Sequence, residues 1–216
     1  MVSATSPQKR QRLSRERVLD AAIELARADG FLGVSMPRVS RSLGTTPMSL
    51  YRHVENKDAL VLGMLDRATA MVGAPPHRND PAEEILVVFV AVHDMLRRDP
   101  WTVQHFLRGY SGSEPVRALV SRSLVALNGL GLQRGDAWQA HQALLRYTYG
   151  EVLAAEAAAN EGQGGLDYGA SDEAWSEADK TIREFANAAP AEQPGERYRE
   201  TLQRYLRSVL NEVSSD

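Results

Sequence analysis

The sequence SMPRVSRSLGTTPMSLYRHVENK, residues 35–57, contains the start and stop signals of two short helices. Ser35 can cap a helix that has Pro37 in its first turn, because a proline there loses only an amide that has no partner within the helix. Gly44 follows where a left-handed C-cap would end that helix. Pro47 opens a second helix of about two turns. The stretch therefore predicts two short helices joined by a tight glycine turn.

The second of these helices carries a polar and aromatic outer face. Leu50 and Val54 lie four residues apart on one side of it and are expected to be buried. A helix, a glycine turn and a second helix with such a face is the helix-turn-helix geometry, in which the second helix enters the major groove of DNA. The outer face consists of Thr46, Pro47, Ser49, Tyr51, Arg52 and His53.

The motif from Leu43 to Lys57, LG-x-x-x-x-S-L-Y-x-H-V-x-N-K, resembles the recognition-helix motif of the TetR family of transcriptional regulators. The segment LSRERVLDAAIELARADG, residues 13–30, is similar to that family's first helix. Ser14 and the apolar period within it predict a helix that Ser14 caps and that runs to about Asp29. The resemblance is dense from Ser14 to Leu65 and much thinner beyond. It implies an N-terminal three-helix DNA-binding domain followed by a helical domain for ligand binding and dimerisation.

Caps and apolar periods along the chain predict an all-α fold of about nine to ten helices. Residues 1–13 are expected to form a basic flexible arm, and residues 14–72 the helix-turn-helix domain. The last helix of that domain, residues 57–72, bridges to the next part of the chain. GAPPHRN, residues 73–79, reads as a linker. Residues 80–216 are expected to form the ligand-binding and dimerisation domain.

One run in the second domain is ambiguous between strand and helix. The segment ILVVFVAVHDML is rich in β-branched residues, which favour a buried strand. Asp80 and Glu83 make a capping box just before it, and no turn follows until about Arg98. A helix buried on nearly all sides is therefore predicted. A polar helix between Asp172 and Ala188 is expected further along.

Composition and charge suit a DNA-binding protein. The net charge of −3 divides into +4 for residues 1–72, with 11 basic and 7 acidic residues, and −7 for the remainder, with 14 and 21. This asymmetry is typical of a DNA-binding head on an acidic body, although acidic helix faces also serve solubility alone. There is no cysteine, and the longest apolar run, Ile85–Val92, is far shorter than a membrane span of about 20 residues. A cytoplasmic protein without a membrane partner is expected.

Contacts to DNA follow from side-chain chemistry and from matching positions in the family motif. Arg52 can make a bidentate contact to guanine, which specifies a base pair. Phosphate contacts set the position of the protein and carry the salt dependence. The base-edge candidates are Thr45, Pro47, Ser49 and Arg52. The phosphate candidates are Thr46, Tyr51, His53 and Lys57, together with Ser35 or Arg38.

Aromatic and histidine side chains are concentrated in two regions of the predicted second domain. Such a cluster is commonly a hydrophobic core. The resemblance instead implies a pocket for a small apolar or aromatic effector, because relatives bind such molecules among these helices. No cofactor is predicted, and no metal site either, since the histidines share no metal-ligand spacing. The pocket candidates are Phe89, His93, Trp101, Phe106, Tyr110, Trp138, His141, Leu144 and Thr148.

The last predicted helix, from about Pro194, has a wider apolar side than one neighbour requires. One interpretation is that the helix packs in its own core. The resemblance implies that it and the long helix from Asp136 form a four-helix contact with a second copy, which gives a homodimer. The interface candidates are Leu145, Val152, Tyr198, Leu202, Tyr205 and Val209.

These observations predict a sequence-specific transcriptional regulator. The main hypothesis is a repressor that binds a palindromic operator in double-stranded DNA as a dimer and is released by the effector. A ligand-independent architectural protein and a transcriptional activator are the alternatives. An enzyme is not expected, because the chain has no G-x-S-x-G, no phosphate-binding loop, no H-E-x-x-H and no cysteine. Glu83 and Glu84 are interpreted as a capping pair rather than a catalytic dyad.

Overall fold

The computed structural model describes residues 12–110, 112–160 and 194–213, and within these ranges it contains nine α-helices and no strand. The predicted all-α fold is therefore confirmed. The predicted arm up to residue 11 and the predicted helix at 172–188 lie outside the described residues. The helices are α1 (Arg15–Asp29), α2 (Met36–Ser42), α3 (Pro47–Leu50), α4 (Lys57–Ala70), α5 (Pro81–Arg98), α6 (Val103–Leu107), α7 (Glu114–Gly129), α8 (Arg134–Asn160) and α9 (Pro194–Val213), with 3-10 turns at Phe31–Gly33 and Pro100–Thr102.

The helices divide into two compact units. The N-terminal unit comprises residues 1–73 and 101–117, and the C-terminal unit comprises residues 74–100 and 118–216. This division differs from the expected one, in which residues 80–216 form a single domain. The segment 101–117 belongs with the N-terminal helices instead.

The core of the N-terminal unit explains this difference. Helix α1 packs against α2 and α4. Ser14 caps α1 as predicted, because its side chain accepts a hydrogen bond of 3.3 Å from the amide of Arg17. Trp101 is buried in the same core and its ring stacks on Phe31 at 5.9 Å between centroids. Burial of a large aromatic side chain is a strong stabilising term, so it draws the 101–117 segment into this unit.

Polar contacts fix α4 within the N-terminal unit. Arg67 of α4 forms an ion pair with Asp20 of α1, and its Nη2 lies 2.8 Å from the Asp20 Oδ2. The hydroxyl of Tyr110, which follows α6, donates a hydrogen bond of 2.8 Å to Asp66 of α4. Helix α4 is therefore held both by α1 and by the segment that follows α6.

The C-terminal unit is built on α5, α8 and α9. Asp80 accepts a hydrogen bond of 2.8 Å from the amide of Glu83, so α5 begins at the predicted cap. Helix α5 packs against α8, and α9 packs on both. The largest fully buried side chains of the C-terminal unit include Phe89, Leu127 and Tyr198. Within the described ranges no helix combines the length and apolar character that a bilayer crossing demands.

Candidate nucleic-acid interface

The turn between α2 and α3 has the geometry of a Schellman motif. Gly44 has a φ of +61°, in the left-handed region that favours glycine. Its amide donates to the carbonyl of Arg41 at 3.1 Å, and the amide of Thr45 donates to the carbonyl of Ser40 at 2.9 Å. Helix α2 therefore ends where the sequence predicted, and the chain is redirected into α3 within a few residues.

Helix α3 is shorter than the predicted two turns, since the α-helix covers only Pro47–Leu50. The amides of Val54 and His53 both donate to the carbonyl of Leu50, at 2.9 and 2.8 Å. The bond from His53 joins residues three apart, as in a 3-10 helix. The α-helix therefore ends after about one turn, and a 3-10 turn follows it. Thr46 does not cap α3 through its side chain; its hydroxyl lies 3.1 Å from that of Ser49.

The α3 segment is anchored on one side and open on the other. Leu50 is fully buried and Val54 is nearly so. Met48 is 74% exposed and Tyr51 is 48% exposed, although both are large side chains. The exposed predicted contact residues are Thr46, Pro47, Tyr51, Arg52 and Lys57, and the half-buried ones are Ser35, Arg38, Thr45, Ser49 and His53.

The predicted phosphate contacts outside α3 differ in their availability. Arg38 forms an ion pair with Asp29, and its Nη1 donates to the carbonyl of Gly33 at 3.1 Å. Its guanidinium is thus engaged by groups of the N-terminal unit, although 41% of its side-chain surface is exposed. Lys57 is exposed at the first residue of α4, whose N-cap Asn56 accepts a hydrogen bond of 2.8 Å from Ala59. The two predicted phosphate contacts therefore differ: Arg38 already has partners within the unit, and Lys57 is exposed at a helix N-terminus.

The predicted effector-pocket residues fall into two groups. Trp101, Phe106 and Tyr110 belong to the N-terminal unit. The other six belong to the C-terminal unit, where Phe89, His93, His141, Leu144 and Thr148 are buried and Trp138 is 48% exposed. The nine residues therefore do not form a single cluster within one unit.

The buried histidines of the C-terminal unit are neutral and engaged. The Nδ1 of His141 lies 2.8 Å from the hydroxyl of Ser123, and burial lowers the pKa of His141 to about 4. His93 stacks on Tyr198 with ring centroids 4.0 Å apart, and burial lowers its pKa as well. The hydroxyl of Tyr198 lies 2.8 Å from that of Thr148. These side chains are uncharged and polar. In this structure they contact one another: His141 pairs with Ser123, and Tyr198 with Thr148 and His93.

The predicted dimer contacts are partly internal. Val152, Tyr198 and Leu202 are each about 1% exposed, so they lie in the core of the C-terminal unit rather than on its surface. Tyr205 is 38% exposed and Leu145 is half-buried. Val209 lies in α9, and its side chain is outside the described part of the structure. Tyr198 and Leu202 face the core because α9 packs against both α5 and α8.

One polar centre was missed by sequence reasoning, which treated Glu83 and Glu84 as a capping pair. Glu84 is buried, and its carboxylate accepts a hydrogen bond of 2.7 Å from the Nε of Arg122. This contact holds the pKa of Glu84 down at about 2. Arg122 also donates to the carbonyl of Pro75 at 2.8 Å, and Glu84 accepts from the amide of Arg78 at 2.8 Å. The pair thus fastens the linker to α5 and α7.

No group of three or more His, Cys, Asp or Glu side chains among the described residues is arranged to hold a metal ion.

Comparison with known proteins gives a consistent picture. A family model described as bacterial regulatory proteins, tetR family, matches residues 18–64. The chain is 38% identical over 94 residues to the HTH-type transcriptional repressor DrrR1 of Streptomyces coeruleorubidus, a match that covers 43% of this chain and 35% of DrrR1. For the first three curated relatives the matched share of their own length lies between 35% and 65%.

Two solved structures share the fold. BioQ with its double-stranded DNA operator has a TM-score of 0.59 and 22% identity, covering 71% of this chain and 93% of that chain. ActR from Streptomyces coelicolor in complex with (S)-DNPA has a TM-score of 0.62 and 19% identity, covering 91% of this chain and 98% of that chain. At these identities the likeness concerns the fold.

Proposed function

We propose that the chain is a transcriptional repressor of the TetR family of bacterial regulatory proteins that binds a near-palindromic operator as a homodimer. A small apolar or aromatic effector releases it from DNA. One observation carries the proposal. The outer face of α3 exposes Pro47, Met48, Tyr51 and Arg52, while Leu50 and Val54 anchor the segment from below.

The exposure of this face argues against a purely structural role for α3. Single exposed apolar side chains are common, but Met48 and Tyr51 lie beside Arg52 on one short segment, and such a contiguous apolar and cationic face supports a binding surface. Arg52 adds a planar donor set that matches guanine in the major groove. Lys57 adds a positive charge at the N-terminus of α4, where a phosphate is favoured. The same segment lies inside the match to the family model.

Dimerisation follows from the length of the reading element. A single short helix contacts only a few base pairs, whereas two helices about 34 Å apart read both halves of a palindrome. In the C-terminal unit, α9 presents Tyr205 and α8 presents Leu153 to solvent, with 38% and 42% of their surfaces exposed. We assign these two surfaces to contact with a second copy.

The effector part of the proposal is supported by the C-terminal unit. Its buried polar groups, His93 and His141 among them, are neutral and lie beside aromatic rings. A cleft of ≈ 390 Å³ opens in this unit, with apolar and aromatic lining from Leu124, Val125, Ala137 and Trp138 and polar lining from Asn128 and Arg134. Its apolar and aromatic wall supports a small aromatic molecule as the ligand.

The experiment is a selection of genomic fragments with the purified full-length chain, followed by footprinting of the selected DNA. We expect protection of one short near-palindrome and loss of binding when Tyr51 and Arg52 are both changed to alanine. Arg97→Ala, which removes an exposed cation from α5, is the matched control and should bind normally. Broad coating of DNA without a preferred site would contradict the proposal and favour an architectural protein. A site at which the chain increases transcription would identify an activator.

A further inference from the structure

The turn between α1 and α2 holds a polar contact to which the proposed function gives no role. Arg38 of α2 forms an ion pair with Asp29, and its Nη1 donates a hydrogen bond of 3.1 Å to the carbonyl of Gly33. All three residues belong to the N-terminal unit. One guanidinium therefore joins the end of α1, the 3-10 turn and α2.

Asp29 lies where a carboxylate is disfavoured unless a cation accompanies it. The unpaired carbonyl groups at the C-terminal end of a helix carry a partial negative charge, and they repel an acidic side chain. Asp29 is the last residue of α1. The ion pair with Arg38 offsets this repulsion. The partner that Asp29 requires is thus supplied by the helix that leads into α3.

Gly33 leaves the space that the guanidinium occupies. The backbone of Gly33 lies outside the left-handed region, so its conformation does not by itself require glycine. A Cβ added there would lie 2.8 Å from the Nη1 of Arg38 and 3.0 Å from the Cβ of Asp29. A larger residue at this position would therefore push the guanidinium away from the Gly33 carbonyl.

The position of α2 determines that of α3. Helix α2 has only seven residues, and so short a helix depends on contacts with the rest of its unit. Met36 and Val39 anchor it in the core, while the Arg38 contacts hold it to the end of α1. Across the Gly44 turn the amide of Thr45 donates to a carbonyl of α2, so α3 follows any rotation of α2.

We propose that Arg38 is a positioning residue for DNA recognition, which sets the angle at which α2, and with it α3, meets the major groove. The inference rests on the proposed function and gives Arg38 a role other than the expected phosphate contact. The two roles have different consequences. A phosphate contact strengthens binding to all DNA alike, whereas correct placement of α3 strengthens binding to the operator.

Gly33→Ala separates the two roles, because it changes no charge and displaces the guanidinium. The measurement is fluorescence anisotropy of the full-length chain on the selected operator duplex and on a scrambled duplex of equal length, well below the melting temperature of each variant. We expect Gly33→Ala to lower operator affinity about fivefold, the lower end of what one base contact is worth, and to leave affinity for the scrambled duplex unchanged.

Arg38→Gln should lower operator affinity by the same factor without changing the salt slope. If Arg38 were instead a phosphate contact, Arg38→Gln would weaken both duplexes and reduce the slope by about one unit. Gly33→Ala would then free the guanidinium for DNA, and affinity for the operator would stay constant or rise.

A charge exchange and a control complete the test. Asp29→Arg combined with Arg38→Asp keeps the net charge and again pairs opposite charges, so it should restore most of the operator preference that Arg38→Asp alone removes. Gly135→Ala in α8, whose added Cβ meets no atom within 4 Å, should bind like the native chain.

The outcomes distinguish this inference from the proposed function. A native ratio of operator to scrambled affinity in Gly33→Ala and Arg38→Gln, or a charge exchange that restores nothing, would overturn the role of Arg38 alone. A native chain that shows no preference for any duplex would overturn the proposed function, and the role of Arg38 with it. Thermal melting of each variant checks that it is folded at the temperature of the titration.

Discussion

At the scale of single residues, the proposed role of Arg52 is sequence recognition, whereas that of Lys57 is general attraction to DNA. The Arg52 side chain is exposed beside the α3 helix. We expect Arg52→Ala to relax preference at one base pair of each half-site, with about 1–3 kcal/mol of discrimination lost. Lys57→Ala should weaken binding to all sequences alike and reduce the salt dependence by about one unit of slope.

Fluorescence anisotropy on operators with single base changes, repeated at several salt concentrations, measures both effects. If Arg52→Ala weakened every operator equally, Arg52 would be a phosphate contact and the assignment of its role would fail.

The Glu84 and Arg122 pair makes a second prediction at this scale. Arg122→Met leaves a buried carboxylate without its partner, and the loss of a partner in such a pair destabilises proteins by about 3–5 kcal/mol. The Arg97→Ala control should change the free energy of unfolding little. Urea denaturation gives both values. Equal stabilities of the two variants would show that the pair contributes nothing.

The same pair predicts a pH dependence. The pKa of Glu84 is about 2 in the folded chain, below its ordinary value of 4.5. Its stabilising contribution is therefore complete above pH 4.5 and is lost as the pH falls toward 2. Melting temperatures of the native chain and Glu84→Gln should differ most near neutral pH and converge in that acidic window. A constant difference across the window would rule out the linkage.

Residue-level prediction from sequence succeeded where the partner is local. Asp80 and Glu83 are three positions apart, and the capping bond between them was predictable from that spacing. Glu84 and Arg122 are 38 positions apart, and only the packing of α5 against α7 brings them together. Sequence spacing therefore described Glu84 as a capping residue, although it is a buried anchor.

At the scale of helices, the approach of α1 to α4 depends on Gly63. A Cβ added there would lie 2.8 Å from the Cδ2 of Leu19 and 2.9 Å from the Nη2 of Arg15. Because Leu19 is buried and cannot move freely, Gly63→Ala should destabilise the chain by about 1–3 kcal/mol. Gly150→Ala in α8 is the matched control, since its Cβ would meet no atom within 4 Å.

Gly150→Ala should stabilise the chain by about 0.5–1 kcal/mol, because alanine favours the helix. Urea denaturation of the two variants gives effects of opposite sign in this account. Stabilisation by both substitutions would show that the side chains of α1 next to Gly63 can move aside at little cost.

Helix existence was more predictable than helix extent. The apolar period and the Ser14 cap are local signals, and the helix that they predicted matches α1 in both its start and its end. The predicted length of α3 was too long. Pro47 indicates where the helix begins and the apolar spacing indicates its buried face, but neither signal indicates where the helix ends. The helix is short because the amides of His53 and Val54 both donate to the carbonyl of Leu50.

At the scale of the whole molecule, the proposed homodimer predicts a fixed operator geometry. Inserting about five base pairs between the half-sites turns them to opposite faces of the duplex, so affinity should fall to that of a single half-site. The same insertion outside the palindrome should have no effect. Gel-shift titration compares the two. Unchanged affinity after the central insertion would mean that one chain binds alone.

The division into units was the least predictable feature at this scale. A proline- and glycine-rich linker at 73–79 marks a boundary by composition, and it does begin the C-terminal unit. The return of residues 101–117 to the N-terminal unit depends on the contact of Trp101 with Phe31. Rings so distant in sequence leave no mark in local composition, so composition alone does not show that this segment packs with the N-terminal helices.

The fastening of the linker by Arg122 also governs how a protease meets this chain. Trypsin can cut after Arg78 only when the surrounding backbone opens into the enzyme's cleft. The amide of Arg78 and the carbonyl of Pro75 are both held by the buried pair, although the Arg78 side chain is exposed. Digestion at Arg78 should be slow in the native chain and rapid in Arg122→Met. The linker at residues 73–79 would then resist proteases even though its composition is that of a flexible segment.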